Sequence, residues 1–516
     1  MSAQQPEVMT PMATPAWRQR RLASLAALGL ALALLAQVAS APRTWAQSQV
    51  VSLPQNLTLA QSIDLALHYN RVIQSALLSR VTQRYDLVVA EDKFVPDAVI
   101  TPFAQFDTSK IDNTRFSSSV AGVSTGVSLT VPTGGQVAFV WTNSAQRPLQ
   151  GSQDDAPAWA SSLSLSLTQP LLRGAGVAVN TASVKTARQI EDINIINFEA
   201  TLISVITQVI QTYRAFLLAQ QQLDISERSL QRAQELLATN KLLIQAGRMA
   251  RLDIVQTESD IASRELDVAA AQNSVERARL SLLEVLDIDS RTEVEPADEA
   301  LRIEPTTPAF APSLELAWRY RPDYRQFLLQ LEITKRDLLL AKNNRLWDLS
   351  LRVTAAMDST GNRFGRVANE VFDVERLRYG VGLDLSIPFG DLSRKQGVLN
   401  ARIGLEQAEL ALKELQQNIE LQVRDAVREV SFSLRQVELA QRARELAEQK
   451  LDTERDKLKI GLSSNFQVVS FEDDLVGAQS AELNAKIAYL NAQTALDQTL
   501  GTTLETWQVT LAEETR

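Results

Sequence analysis

SSLSLSLTQP, residues 161–170, alternates serine with leucine and then meets a proline. A period of two places Leu163, Leu165 and Leu167 on one face and Ser162, Ser164, Ser166 and Thr168 on the other. That is a strand with one apolar and one wet side. The rest of the 516-residue chain points elsewhere. It is 22% charged, rich in alanine and glutamine, and holds only 19 glycines and 17 prolines, which favours long helices. The fold must therefore combine many helical residues with a few amphipathic strands.

The same alternation recurs. YGVGLDLSIP (379–388) sets Val381, Leu383 and Leu385 against Gly380, Gly382 and Asp384, and LSLRVTAAM (349–357) sets Leu349, Leu351 and Val353 against Ser350, Arg352 and Thr354. GVSTGVSLTVPTGGQVAFVWTN (122–143) reads as two such strands about a PTGG turn. With a further strand near 98–107, strands are expected at 98–107, 122–131, 136–144, 161–169, 349–357 and 379–387. Longer loops would lie at 108–120, 145–160 and 358–377. Strands of this length suit a transmembrane barrel with a polar lumen, and equally a soluble sandwich with one solvated face.

The N-terminus bears on that choice. Arg18, Arg20 and Arg21 precede an apolar run, Leu22 to Ala36, followed by small-residue cleavage candidates ending at Ala41 and Ala46. This reads as a signal peptide over 1–46, since the run is shorter than the roughly 20 residues that span a bilayer. An exported chain with too few strands to close a barrel of its own must pool them between subunits, because an open sheet edge cannot sit in lipid.

Several function classes lack material. There are no cysteines and one histidine, His68, in a helical pattern, so thiol chemistry, a zinc site and a histidine triad have no candidates. No phosphate loop or dinucleotide fingerprint occurs, and no cofactor is implied. The net charge is −9 without a basic patch beyond the N-terminal arginines, which gives nucleic acid nothing to hold.

The chain is also a duplication. LLIQAGRMARLDIVQTESDIASRE (242–265) is echoed by KLKIGLSSNFQVVSFEDDLVGAQS (457–480), with Gly247 falling on Gly461, Ile254 on Val468 and Glu258 on Glu472. LALHYNRVI (65–73) resembles LAWRYRPDY (316–324). Two copies of a helix–strands–helical-hairpin unit, 47–286 and 313–502, are joined by a proline- and acid-rich connector over 287–312. A tail follows at 503–516.

Within each hairpin, large residues recur every seventh position: Leu202, Val209, Phe216, Leu223 and Leu230 in copy one, and Val423, Val430, Val437, Leu451 and Leu458 in copy two. Smaller residues lie between them, and Arg444 interrupts the second column. That spacing makes a coiled-coil seam. Gly247 and Gly461 sit where each outgoing helix should end in a left-handed cap. The hairpins are expected over 182–286 and 395–502.

Taken together, the duplicated unit, QPLLRGAG (169–176) with its echo IPFGDLSR (387–394), and the tip pattern of Gly247, Asp253, Ile254 and Val255 resemble the TolC family of outer-membrane efflux proteins over nearly the whole mature chain. The resemblance implies a homotrimer in which three chains share one β-barrel in outer-membrane lipid, above a periplasmic α-barrel of long helical hairpins. It implies a passive exit duct of a tripartite efflux pump or type I secretion system. Its partners would be a periplasmic adaptor (membrane fusion) protein and an inner-membrane transporter of RND, ABC or MFS type. Adaptor docking is expected at the tips, around Gly247, Asp253, Gly461 and Gln467.

Two departures stand out. The family's usual count is four strands per chain, twelve in all; the additional hairpin here would give six and eighteen, or else lie outside the wall. The aspartates that constrict some members at the second tip are replaced by Gln467 and Ser470. Asp253, Glu258, Asp260, Glu472 and Asp474 are instead candidate pore-entrance carboxylates, against the alternative of a solvated outer face. The rival reading of the whole chain is a periplasmic coiled-coil adaptor or scaffold without a pore.

Overall fold

The computed structural model of the chain describes residues 56–111, 114–150, 158–246, 252–297 and 303–509. The signal-peptide segment, the two cleavage candidates, Gly247 and the tail beyond 509 lie outside the described residues.

Six long strands form one antiparallel meander: β2 (Asp97–Ile111), β3 (Thr114–Thr130), β4 (Gln136–Gln150), β5 (Ala158–Pro170), β7 (Asp348–Gly361) and β8 (Arg378–Ser386), hydrogen-bonded in that order. The opening stretch sits in the middle. Leu163 is flanked in register by Trp141 and Met357, and Leu165 by Phe139 and Ala355. The period of two is thus kept across neighbours, so that Trp141, Phe139, Leu163, Leu165 and Met357 share one side, while Val99, Phe103 and Val140 fall on the other. The expected hairpin at 122–143 is part of this sheet, not an appendage. One expectation fails. The loop placed at 108–120 is largely strand, because β2 and β3 keep pairing out to Ile111 and Thr114. That stretch, DTSKIDNTRFSSS, lacks apolar alternation, so a polar ladder standing beyond any buried face left no signal to read. Likewise β4 and β5 run on to Gln150 and start at Ala158, which shortens the loop expected at 145–160.

One end of the sheet meets the helices. There the β3–β4 turn carries Gly134 at φ 94°, and the Gly176 amide donates to the Thr133 carbonyl at 3.0 Å. Asn180 Nδ2 donates to the Gly174 carbonyl at 2.8 Å, fastening this turn to the start of the next helices, α3 (Val177–Asn180) and α4 (Ala182–Gln245).

Two helices run the length of the helical part. α4 has 64 residues and α9 (Leu392–Lys459) has 68, about 100 Å each at 1.5 Å per residue. Near the strands, α4 is flanked by α2 (Arg71–Glu91) and α7 (Pro322–Asn344), and α7 also packs on α9. Farther away, α4 is flanked by α5 (Leu252–Leu286) and α10 (Asn465–Leu500), and α10 packs on α9. Each half is therefore a four-helix layer, in the order α2–α4–α7–α9 and then α5–α4–α10–α9.

The heptad columns are what these layers bury. Val423 and Val430 are fully enclosed, and Leu451 and Leu458 nearly so; each contributes roughly 1.5–3 kcal/mol of apolar burial. Arg444, the gap in the column, meets a matched carboxylate: its Nε lies 2.6 Å from buried Glu482.

A belt at mid-height joins the halves. It contains β1 (Asn56–Leu57) paired in parallel with β6 (Glu295–Pro296), and the short helices α1 (Leu59–Tyr69), α6 (Phe310–Tyr320) and α11 (Thr503–Thr506). Two fully buried tyrosines pin the connector here. Tyr213 Oη donates to the Leu57 carbonyl at 2.8 Å and accepts from the Ala297 amide at 3.1 Å, and Tyr489 Oη donates to the Glu304 carbonyl at 3.0 Å.

The duplication is visible in backbone angles. α1 breaks into α2 at Asn70 (φ −60°, ψ 125°), and α6 breaks into α7 at Arg321 (φ −63°, ψ 120°). Asn70 achieves this with its side chain, which caps the Val72 and Ile73 amides. Arg321 does so because Pro322 excludes the helical conformation before it. The return helices also end alike, at Asp287 (φ 57°) and Gly501 (φ 79°).

Candidate functional site

The sheet has two chemically distinct faces. One carries Val123, Val127, Phe139, Leu165, Val381, Leu383 and Leu385, all exposed in the single chain. The other carries Ser124, Thr142, Ser162, Ser164, Thr354, Arg352 and Asp384 at the intervening positions. On this second face Ser124 and Thr142 hydrogen-bond across strands at 3.1 Å, Arg352 pairs with Asp384 at 3.2 Å, and Arg378 pairs with Asp358. An apolar band backed by a polar face is the section of a membrane barrel wall around water.

The edges of the sheet are β2 and β8. Six alternating strands leave these two running in opposite directions. β8 of one chain can therefore accept β2 of another as an antiparallel neighbour.

At the far end of the helices, polar groups stitch the two hairpins together in layers about a heptad apart. Nearest the tip, Asn240 of α4 donates from Nδ2 to Thr257 of α5 at 2.9 Å and to Asn465 of α10 at 2.7 Å. Asn465 in turn donates to Thr257 at 3.0 Å. All three side chains are buried. In the next layer Glu472 of α10 is held by Arg232 of α4 and by Arg455 of α9, the latter at 3.0 Å. Beside it Arg264 of α5 reaches Asp473 of α10 at 2.8 Å, Asp260 at 3.0 Å and Ser229 of α4 at 2.5 Å. A buried charge unpaired here would be costly, so these layers fix the hairpin register.

The second tip ends as its glycine requires. Gly461 has φ 82°, its amide donates to the Leu458 carbonyl at 3.0 Å, and the Leu462 amide donates to Lys457 at 2.9 Å. This is the paired-bond left-handed cap. Ser464 then caps α10 through the Gln467 amide at 3.2 Å. Hydrogen bonds from Ser463 and Lys457 hold the Glu454 carboxyl below the usual carboxylate range.

The candidate residues fall in different surroundings. Glu258 is exposed, and Asp474 is half exposed and pairs with Lys450 at 2.8 Å. Asp260 is mostly covered and bound to Arg264. Glu472 is enclosed in the seam rather than open to water. Gln467 is exposed at the tip beside Gly461. Asp253 begins α5, with its side chain outside the described residues, as is Gly247. The equivalence of Glu258 and Glu472 in sequence therefore does not extend to environment. α10 lies between α9 and α4, whereas α5 is at the edge of its layer.

Sequence reasoning missed the Asn240–Thr257–Asn465 cluster and the two arginines around Glu472. Polar residues at single seam positions were the available signal. It also missed Ile460, Leu462 and Phe466, which expose apolar surface at the second tip.

Similarity to other proteins follows this geometry. Among curated proteins none matches the chain significantly. Solved structures do. The outer-membrane channel OprN is 16% identical, with a TM-score of 0.64 over 86% of this chain and 90% of that one. The CmeC outer-membrane channel of Campylobacter jejuni is 14% identical, with a TM-score of 0.64 over 89% and 90%. The open state of the MtrE outer-membrane channel of Neisseria gonorrhoeae is 17% identical, with a TM-score of 0.63 over 86% and 89%. At such identities the likeness concerns the fold. The outer membrane efflux protein profile matches residues 62–286 and 316–502, taking in both repeats and omitting the connector between them. The chain thus belongs to the outer membrane efflux protein family, and its two-faced sheet and long hairpins are those of an outer-membrane exit duct.

Proposed function

We propose that three copies of the chain close into one continuous tube, an eighteen-strand barrel on a twelve-helix barrel, through which cargo passes without chemistry. One observation carries this: a six-stranded sheet whose two free edges run in opposite directions, set on layers of four helices. The widths agree. Strands about 4.8 Å apart and tilted about 40° advance a barrel wall by about 6 Å each, so six occupy about 38 Å of circumference. Four helices packed about 9 Å apart occupy about 36 Å. Four strands at that tilt would cover only about 25 Å. With six, the two tubes meet without a step and the strands need no unusual tilt.

The direct test uses the absence of native cysteine. Cysteine pairs are placed in each chain, one cysteine along β2, from Ile100, and one along β8, from Leu383, both exposed on the lone chain. Oxidation of membrane fractions is expected to give covalent trimers for the pairs in register. A monomer that stays in solution without detergent and forms no cross-link would instead support the pore-free adaptor reading.

The energy for transport would come from an inner-membrane transporter of RND, ABC or MFS type, reached through a periplasmic adaptor. Docking at the tips, around Gly247, Asp253, Gly461 and Gln467, is supported by the exposed Ile460, Leu462 and Phe466. An adaptor can shift the closed–open balance only by binding the open form more tightly.

Asp253, Glu258, Asp260 and Asp474 are proposed to give the entrance its cation preference, while Glu472 serves the seam. Neutralising those four to Asn or Gln is expected to reduce the cation-over-anion permeability ratio of the trimer in planar bilayers at least twofold at low salt. An unchanged ratio places them on the outer surface.

A further inference from the structure

The segment between β7 and β8 is not a free loop. Residues Phe364–Glu370 form a short helix, α8, and Val374–Arg376 a single 3₁₀ turn. The segment lies against the sheet at the end away from the helices. Val367 and Val371 are buried, and a Cβ on Gly361 would come within 2.9 Å of Val367. The Phe364 ring packs on Trp159 at 5.1 Å and the Phe372 ring on Trp141 at 5.9 Å. Trp141 Nε1 donates to Ser161 at 3.1 Å, and Ser359 donates to Glu370 at 3.2 Å.

The side it covers is decisive. Gly361, Ser359, Trp159, Ser161, Leu163 and Trp141 stand at the positions of the apolar band, not at those of the polar face. The segment is therefore folded down on the outside of the wall. It sits over β4, β5 and β7, clear of the β2 and β8 edges, and just past the band's last large apolar residue on β7, Met357. Tryptophans at the rim of an apolar band mark the bilayer interface.

The outer surface of the segment is two-natured. Phe364, Phe372, Val374 and Leu377 are exposed, Val374 by 74%. Arg363 and Arg366 are exposed too, and neither has an ion-pair or hydrogen-bond partner among the described residues. The other two arginines are engaged, Arg376 with Glu370 and Arg378 with Asp358. Of the acids nearby, Asp373 caps the 3₁₀ turn by accepting from the Glu375 amide at 3.2 Å.

We propose that residues 362–377 form an interfacial collar on the outer leaflet, with Phe372, Val374 and Leu377 in the headgroup–acyl boundary and Arg363 and Arg366 on the phosphates of anionic lipid headgroups. Continuity with the lipid-facing band supplies the apolar half of the argument, and two unpaired guanidinium groups supply the anionic half. This rests on the reading of the sheet as a membrane wall.

The test reconstitutes the full-length trimer in phosphatidylcholine vesicles with and without diphosphorylated lipid A. Nitroxides are placed singly at Val374→Cys and, as a control within the band, at Leu165→Cys. Both are expected to be relaxed more by oxygen than by a water-soluble nickel chelate. A lipid-exposed Leu165 site with a water-exposed Val374 site overturns the collar alone, whereas two water-exposed sites overturn the membrane wall. In detergent, added lipid A is expected to raise the heat-dissociation midpoint of the wild-type trimer, and R363Q/R366Q to lose most of that shift. Inorganic phosphate at equal phosphate concentration is expected to give none. A double variant that responds to lipid A as the wild type does, or a wild-type shift reproduced by phosphate alone, overturns the headgroup assignment.

Discussion

Replacing Glu472 with alanine is expected to raise the resting conductance of the reconstituted channel several-fold while leaving the proposed trimer assembled. Among the described residues Glu472 is the one carboxylate that holds arginines from two other helices, Arg232 of α4 and Arg455 of α9, and its side chain is only 6% exposed. Its removal leaves Arg232, itself 18% exposed, as an uncompensated charge in the seam. Breaking a buried pair from one side costs about 3 kcal/mol, which bears on the arrangement of the hairpin tips far more than on the barrel. A second variant separates gating from misfolding. Arg232→Met combined with Glu472→Leu removes both charges and fills the space, so it should return conductance towards wild type. Arg455, at 30% exposed, remains within reach of water. Single-channel recording decides the matter; if E472A conducts as the wild type does, the layer is not a lock.

Gly501→Ala is expected to lower the heat-dissociation midpoint of the proposed trimer by several degrees. Gly501 ends α10 with φ 79°, and its missing Cβ is what lets the chain pass the Tyr320 and Arg321 backbone, whose atoms would lie within 2.9 Å of the new carbon. A left-handed alanine costs about 1–2 kcal/mol. The neighbouring atoms are backbone at the α6–α7 break and cannot turn aside, so the total should reach about 3 kcal/mol. The equivalent position of the first repeat provides the contrast. Asp287 carries a side chain at φ 57° and pairs with Arg71, which is 84% exposed. Asp287→Ala is expected to cost within about 1 kcal/mol. Equal losses from the two variants would refute the close-approach argument.

Repeats, columns and alternation made most of the architecture readable, because each repeats a single physical demand along the chain. Leu163, Leu165 and Leu167 announce a face, and Val423, Val430 and Val437 announce a seam. The polar extensions of β2 and β3 announced nothing, since a ladder beyond the lipid needs no apolar side. The tip was harder still. Glu258 and Glu472 are equivalent in sequence, yet one is exposed and the other enclosed. What separates them is the identity of the neighbouring helix, which is tertiary information. Arg232 and Arg264 likewise look like ordinary surface arginines until α10 is laid beside them. The β7–β8 segment, read as a loop, gave no hint that it folds back along the wall.

Arg214 stands at the midpoint of α4. It donates to the Leu490 carbonyl at 2.6 Å, to Thr494 at 2.8 Å and to Asn491 at 3.2 Å. Burial pushes its guanidinium down to about 10, with Asp497 partly opposing. A rod gripped at its centre behaves as a see-saw. Some 48 Å of helix extends to either side at 1.5 Å per residue, so swinging the lower end by about 5 Å would throw the upper end equally far the other way. A sheet anchored in lipid cannot follow such a swing. Any dilation of the lower mouth would therefore be absorbed as curvature below Arg214, spread over the helical turns between that fulcrum and Asn240.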